Sequence, residues 1–345
     1  MTREGFRNAV FERDGGRCVS CGVSGVPLDA HHIVERYLWP DGGYYLDNGA
    51  TLCDPTCHMR AESTDLSADE VRRLAGIRRV LLPPHLYDDA TYDKWGNEFL
   101  PDGTRLRGEL FYDESVSKVI APFVDRFSRF TRPPRTYHLP RSLGKTPDDR
   151  TLPDLSGFEG RRVVLTVKLD GGNVSVYGPD GYIHGRRTEP LSTPDAGRVK
   201  ELARRLGPEL PEGWRLAGED LYRARSLLYR NLPAGDDWFF SLFGIWNARN
   251  EALPWGEVEE WAELLGLKTP PVLYRGPFDP KRLRELEELS EYRGDPVEGY
   301  VVRVEDGFEL SEYRKLVGKY VRGNFRGPAE HAWRSEIRYN APAAS

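Results

Sequence analysis

Cysteine occurs four times in 345 residues, at positions 18, 21, 53 and 57, all within the first sixth of the chain. A CxxC pair followed by a second pair with three intervening residues can close four thiolates around one tetrahedral Zn²⁺. A module this short needs such a clip, because its apolar core alone is marginal. Disulfides stapling a large protein would be spread along it, so a local metal site in a reducing compartment is expected. Between the pairs stand His31 and His32, then Asn48, and His58 directly follows Cys57. Adjacent histidines, an asparagine and a late histidine suit a one-metal phosphodiesterase. Nitrogen and oxygen ligands would hold a divalent cation on the phosphate, and one free imidazole would activate water.

A second set of residues lies downstream. Lys168 ends the apolar run Val163–Val167 and is followed by Leu169, Asp170 and Gly171. A lysine at a strand end, with glycine behind it to let a phosphate approach, is a candidate nucleophile if burial and nearby positive charge depress its pKa. The tetrapeptide gains weight from five residues that come after it in order: Arg186 in HGRR, Glu219 in GEDLY, Phe243 in an apolar run, Glu298 in EGYVVR and Lys319 in GKYVR. For Phe243 packing in a core is the competing reading, since an aromatic in an apolar strand usually packs.

Charge is unevenly placed. The chain carries a formal net charge of −5 and a pI near 5.9, which does not advertise nucleic-acid binding. Residues 1–75 hold 8 Lys/Arg against 12 Asp/Glu, whereas residues 118–150 hold 8 against 3. That basic bridge interleaves Arg126, Arg129, Arg132, Arg135 and Arg141 with Phe127, Phe130 and Tyr137. It reads equally as a strip that pairs phosphates and stacks bases or as a solvated linker.

The elements that must position these residues are set by periodicity and turn chemistry. Short β-type runs are predicted at Val163–Val167, Asn173–Tyr177, Trp214–Glu219, Trp238–Trp246 and Gly299–Val304. Asp279 and Pro280 open a charged helix to about Glu291, and Glu257–Leu265 has helical spacing. The C-terminal two-thirds is therefore expected to be α+β on antiparallel sheet. A chain of this length makes two or three globular units at about 100 to 200 residues each. No stretch approaches a membrane span and the N-terminus lacks a signal-peptide pattern, so a cytoplasmic protein is expected.

The run CVSC, AHHI, DNG, LC and CH at residues 18–21, 30–33, 47–49, 52–53 and 57–58 resembles the HNH endonuclease family over roughly residues 10–65. That resemblance implies a ββα-metal finger in which His32 is the general base, His31 and His58 are metal ligands, and Asn48 orients the base or supports the metal loop. The downstream set resembles the covalent nucleotidyltransferase superfamily of ATP-dependent ligases and capping enzymes. More closely, with RTYHLP at 135–140, it is similar to the RNA ligase family over about residues 130–325.

The second resemblance implies an antiparallel-sheet nucleotidyltransferase fold, unrelated to ATP-grasp, in which Lys168 attacks the α-phosphorus of ATP to form lysyl-AMP. The AMP then passes to a 5′-phosphate, and a 3′-hydroxyl displaces it to seal the strand. Lys319 and Arg186 would neutralise phosphate charge, Glu298 would hold Mg²⁺ or Mn²⁺, Glu219 would bind ribose hydroxyls and Phe243 would stack on adenine. Lys315 and Arg322 are secondary phosphate candidates, because Val321 stands where the family often has a second lysine.

The expected organisation is residues 1–76 as an HNH-like zinc module, 77–130 as a connecting piece, perhaps a small β module, and 131–345 as the adenylyltransferase. Only 23 residues follow Arg322, so a clamp on the substrate is expected from upstream. The expected partner is an RNA or mixed RNA/DNA strand with 5′-phosphate and 3′-hydroxyl ends, in nucleic-acid repair. Two other readings stay open: chiefly a nuclease with an end-sensing adenylation domain, or a ligase whose finger docks without cutting.

Overall fold

The Thr2 side chain accepts a hydrogen bond from Gly5 N and opens helix α1 (Arg3–Arg13), which buries Phe6 and Val10. In the computed structural model, which describes residues 1–87, 89–323 and 337–343, this helix starts the first of two compact units, Met1–Thr131. Strands β1 (Leu28–His32) and β2 (Gly49–Cys53) then pair antiparallel, with Leu28 opposite Cys53 and His32 opposite Gly49. Helix α2 (Thr56–Glu62) follows, giving a ββα order. Helix α3 (Ala68–Leu74) is capped by Ser67, which accepts from Glu70 N. The core of this part joins Cys18, Ile33, Leu52, Cys57, Ala61 and Val71.

Residues 77–130 are less regular than a β module. They hold one hairpin of two-residue strands, β3 (Thr91–Tyr92) and β4 (Glu98–Phe99), and helix α4 (Glu114–Ile120). The reason is local. Asp93 is fully buried and accepts from Trp95 N, Asn97 N and Asn97 Nδ2, so the turn is organised by one carboxylate instead of a long ladder. A separate apolar cluster of Trp95, Phe111, Val116, Ile120 and Phe127 supports it.

The second unit, Arg132–Ser345, is α+β. Its elements are β5 (Tyr137–His138), β6 (Arg162–Lys168), β7 (Gly172–Tyr177), β8 (Ile183–His184), α5 (Gly197–Leu206), β9 (Arg215–Asp220), β10 (Phe240–Trp246), β11 (Glu251–Ala252), α6 (Trp255–Leu264), β12 (Val272–Pro277), α7 (Pro280–Glu287), β13 (Glu291–Tyr292), β14 (Asp295–Pro296), β15 (Gly299–Val304), β16 (Phe308–Glu309), α8 (Tyr313–Leu316) and β17 (Val317–Val321). The five predicted strands and both predicted helices are present within a few residues. Asp279 caps α7 by accepting from Lys281 N.

Apart from β13 and β14, which pair with each other, these strands build two sheets. One has six strands in the order β16-β11-β10-β9-β7-β8, all antiparallel. The other has five, β12-β6-β15-β17-β5, antiparallel except for the parallel pairing of β5 with β17. One core includes α5 and α6 residues such as Val199, Leu202 and Val258 with Leu216 and Leu242. A second is built round Leu165, Tyr300, Val302 and Tyr320, with Ala217 and Trp246 from the six-stranded sheet. Among the described residues no helix is long and apolar enough to cross a membrane.

Candidate functional site

In the second unit the register of β15 gathers the site. Gly299 lies opposite both Lys168 on β6 and Val321 on β17, and Val301 lies opposite Lys319. Side chains two apart on a strand share a face, so Lys168 and Lys319 project to the same side of the sheet. Glu298, immediately before β15, reaches Lys168: Lys168 Nζ donates to Glu298 Oε2 at 2.6 Å, with the carboxylate side chain 8% exposed. The turn from β6 to β7 carries the chain to the other sheet, and there Gly171 N donates to Glu219 Oε1 at 3.0 Å.

Lysine activation differs from expectation. Burial disfavours the Lys168 charge, but Glu298, Glu219 and Asp170 outweigh it and raise the pKa. The resting group is an ammonium among carboxylates, opposite to the depressed pKa that neighbouring cations would produce. Burial pushes Glu219 up to about 7 against the pull of Lys168, and burial likewise raises Glu298. Gly171 also has a different duty from admitting phosphate. A Cβ there would collide with the carbonyl oxygen of Asp220, so the glycine is required by close packing of the protein on itself.

Three other residues are placed less centrally. Arg186 is exposed in the segment after β8, and its charge is felt at both Glu219 and Lys319. Phe243 sits in an irregularity of the β9–β10 ladder, between Leu242 and Gly244, half-buried against the second core. Lys315 is exposed on α8, and Arg322 donates its backbone N–H to Glu298 O at 3.0 Å.

Several residues to which sequence reasoning gave no individual role adjoin this site. Asp149 Oδ1 lies 3.4 Å from Lys319 Nζ and 3.2 Å from His138 Nε2. Asp170 Oδ2 accepts from Ser226 N and Leu227 N, and Asp170 N donates to the Tyr229 hydroxyl. Asn173 is directly opposite Glu219 in the β7–β9 register, and its Oδ1 is buried without a hydrogen-bond partner. Asn173 could have been flagged from its place five residues after Lys168 on the predicted strand. Asp149 offered no such signal, because only the fold brings it to Lys319.

The basic bridge does not present the aromatics expected of a stacking strip. Phe127 is 8% exposed within the Trp95 cluster and Tyr137 is 7% exposed on β5, beside β17 in the sheet. Arg141 forms a two-pronged pair with Glu287. Apolar burial has claimed two of the three aromatics.

The first unit gathers the cysteines. The four thiols all lie within 4.8 Å of one another, and Cys21 and Cys53 are 3.7 Å apart. A tetrahedron with zinc–sulfur bonds of about 2.3 Å has edges of about 3.8 Å, so the donor set fits that ion. Gly22, at φ +76°, makes the turn after the first pair, where its N–H donates to Cys18 O. Burial opposes ionisation of Cys18, yet backbone N–H groups of residues 20, 21 and 53 bring the thiol down to about 7.

The histidines divide. His31 and His58 come together with Glu62, which the sequence reading missed: its Oε1 is 3.4 Å from His31 Nδ1 and 3.2 Å from His58 Nε2. Asn48 is not with them. It is 1% exposed, accepts from Val34 N and donates to Val34 O and Gly43 O, so both amide hydrogens are spent on backbone and it staples the loop. The His32 ring stacks on Phe6 at 4.6 Å, and burial, with Lys94, lowers it to about 4.

Nothing matches among curated proteins. Among solved structures, two mutant forms of Naegleria gruberi RNA ligase with ATP and Mn each align with a TM-score of 0.41. One is 19% identical over 56% of this chain and 57% of that chain, the other 18% identical over 57% and 58%. A mutant apo form aligns with a TM-score of 0.38 at 19% identity, over 50% and 52%. The chain thus spans little more than half the length of these proteins. Residues 161–321 match the family described as RNA ligase, and Lys168, Arg186, Glu219, Phe243, Glu298 and Lys319 all fall inside the matched stretch.

Proposed function

We propose that the protein is an ATP-dependent RNA ligase that joins 5′-phosphate and 3′-hydroxyl ends, with an N-terminal HNH-like zinc module that engages the ends. The observation that carries the reading is the hydrogen bond of 2.6 Å between Lys168 and Glu298 inside the stretch that matches the RNA ligase family. Lys168 must lose a proton to become a nucleophile, and Glu298 Oε2 is the acceptor in contact with it. The lysine nitrogen then forms a bond to the α-phosphorus of ATP while the bond from that phosphorus to the bridging oxygen breaks and pyrophosphate leaves. Next, a 5′-phosphate oxygen takes the AMP and frees Lys168. Finally a 3′-hydroxyl, giving up its proton, attacks the activated phosphorus and AMP departs.

The side chains present fit a nucleotide and a hard cation. Asn173 Oδ1 is a buried acceptor with no partner, next to Glu219, as ribose or base donors would require. Glu298 would hold Mg²⁺ or Mn²⁺, which when bound supplies positive charge to the departing phosphates. Lys319 and Arg186 neutralise phosphate charge in place, preorganised by the strand ladder and the loop after β8.

In the finger, four thiols would hold Zn²⁺, and His31, with its Nδ1 buried and lacking a hydrogen-bond partner, would join His58 on a catalytic cation. A second reading keeps the ligase and makes the finger a docking element. It is favoured by His32, whose Nε2 is buried and whose ring is stacked where a general base would need to meet water.

The test is incubation with α-labelled ATP and Mg²⁺. A covalent adduct that Lys168→Ala abolishes and His32→Ala retains supports the ligase, and absence of any adduct on the wild type overturns it. A GTP adduct in its place would point to a capping-type enzyme. Cleavage of plasmid or RNA that disappears in His32→Ala separates an active finger from a docking one. Nicked duplexes ending in ribose or deoxyribose identify the strand that is sealed.

A further inference from the structure

Lys94 lies in the turn between β3 and β4, 62 residues from His32, yet its ammonium is inside the His–Glu cluster. Its Nζ is 3.0 Å from Glu62 Oε1 and 3.1 Å from Glu35 Oε2, and it donates to His32 O at 3.3 Å. An ammonium has three donors and no acceptor, so these three contacts saturate it. The side chain is only 5% exposed. Its position is fixed from both directions: Glu35 N donates to Lys94 O at 2.9 Å, and Trp95 Nε1 donates to Glu62 O at 2.9 Å. The ammonium also stands 5.0 Å from the centroid of the Trp95 ring.

The acceptor it holds is the oxygen a metal ion would need. Glu62 Oε1 is the atom at 3.2 and 3.4 Å from the two imidazole nitrogens, and a tetrahedral site with ligand bonds of about 2.1 Å has edges of about 3.4 Å. His31 is 3% exposed, and its buried Nδ1, which makes no hydrogen bond of good geometry, faces the group 3.4 Å from Glu62 Oε1. Two imidazoles and a carboxylate suit Zn²⁺, Mn²⁺ or Ni²⁺. A divalent cation on the same oxygen would stand against a like charge that is 5% exposed, where screening is weak.

We propose that His31, His58 and Glu62 form a divalent-cation site whose shared carboxylate is held by the ammonium of Lys94, so that metal and lysine compete for Glu62. This rests on reading the cluster as a metal site, and it makes the β3–β4 turn the device that sets the site's metal affinity. Loading the site requires the lysine to let go of Glu62, while Glu35 and the His32 carbonyl remain as its alternative partners.

The experiment measures Mn²⁺ binding by electron paramagnetic resonance on the full-length, zinc-replete chain, taking the component that His58→Ala abolishes. Lys94→Met keeps the apolar stem and removes the charge. It is expected to tighten that component by about tenfold or more. Because two carboxylates then lose a partner, thermal unfolding is followed as well, and Mn²⁺ should raise the melting temperature of Lys94→Met more than that of the wild type. If Lys94→Met does not fold, Lys94→Gln, which removes the charge but keeps hydrogen-bond donors for Glu35 and Glu62, should tighten Mn²⁺ in the same direction. Unchanged or weaker binding in the variants overturns the competition while leaving the metal reading intact. Absence of any His58-dependent component in wild type and variants removes both, and neither outcome bears on adenylylation of Lys168.

Discussion

One oxygen of Asp149 serves two partners, Lys319 Nζ at 3.4 Å and His138 Nε2 at 3.2 Å. The line continues from His138 Nδ1 to Ser142 Oγ at 2.7 Å, and that oxygen accepts from Val321 N at 2.9 Å. Burial would raise the Asp149 carboxyl, but the Thr146 backbone N–H, Lys319, the Thr146 hydroxyl and His138 together hold it well below the usual range. Asp149 is therefore a fixed anion that positions Lys319, the lysine proposed to meet phosphate.

Replacing Asp149 by Asn should accordingly lower the rate of lysyl-AMP formation by about tenfold, a loss of about 1.4 kcal/mol in transition-state stabilisation. The loss should appear in kcat more than in the KM for ATP, because the lysine stays charged but loses its aim. Single-turnover adenylylation across a range of ATP concentrations checks this. A pure KM effect would assign Asp149 to ground-state binding instead.

Asp170 offers a sharper contrast between two substitutions. Both backbone N–H groups it binds, Ser226 and Leu227, go to the same oxygen. Asp170→Asn retains one carbonyl oxygen and should keep most of the stability, whereas Asp170→Ala leaves two donors unmatched and should cost about 1 to 3 kcal/mol. Urea unfolding of the two variants measures the difference. Equal losses would mean that the negative charge, and not the geometry of that oxygen, holds the segment.

The thiol cluster should bind one zinc per chain, released by a mercurial and detected with a chromogenic chelator. Cys53→Ser is expected to lower zinc content to near zero and to unfold the Met1–Thr131 unit, since metal binding there is folding free energy. Lysyl-AMP formation by the second unit should survive. Full zinc retention in Cys53→Ser would remove this site from consideration.

His184 predicts a pH dependence. It is fully buried, its Nδ1 meets Gly185 O at 2.7 Å, and burial, with Arg215, lowers its pKa to about 4. The unfolded chain protonates this group near pH 6.5, so below that pH the unfolded state binds more protons than the native one. Stability should therefore fall as pH drops from about 6.5 to 4, by about 1.4 kcal/mol per unit from this group alone. Urea midpoints at pH 7 and pH 4.5 for wild type and His184→Gln test it: the variant should lose part of the slope.

Where the candidate residues sit in the fold could largely be read from the chain because strand ends are marked by local composition. Lys168, Glu219 and Glu298 each adjoin an apolar run, and the ladder of β15 with β6 and β17 then had little freedom in how to assemble them. The Asp149–Lys319 contact was not legible, because 170 residues separate the pair and nothing near Asp149 signals a partner. Lys94 was hidden for the same reason. Asn48 is a different case: its residue type suits a ligand, and the fold engages its amide fully with the backbone of the loop. Helix α5 was missed as well, although Val199, Leu202, Ala203 and Leu206 supply a buried face at helical spacing.

Strand β5 has only two residues, yet it lies along β17 and is joined to Lys319 through Leu139 N, which donates to Lys319 O at 2.7 Å. Cutting the chain at residue 151, at the start of the strongest sequence signals, would strip that cover and leave β17 with an unpaired row of backbone donors and acceptors. Such a fragment would recruit neighbouring copies edge to edge and precipitate. Residues 137–139 cover the edge of the sheet that bears Lys168 and Lys319, so a fragment meant to fold by itself should begin upstream of them.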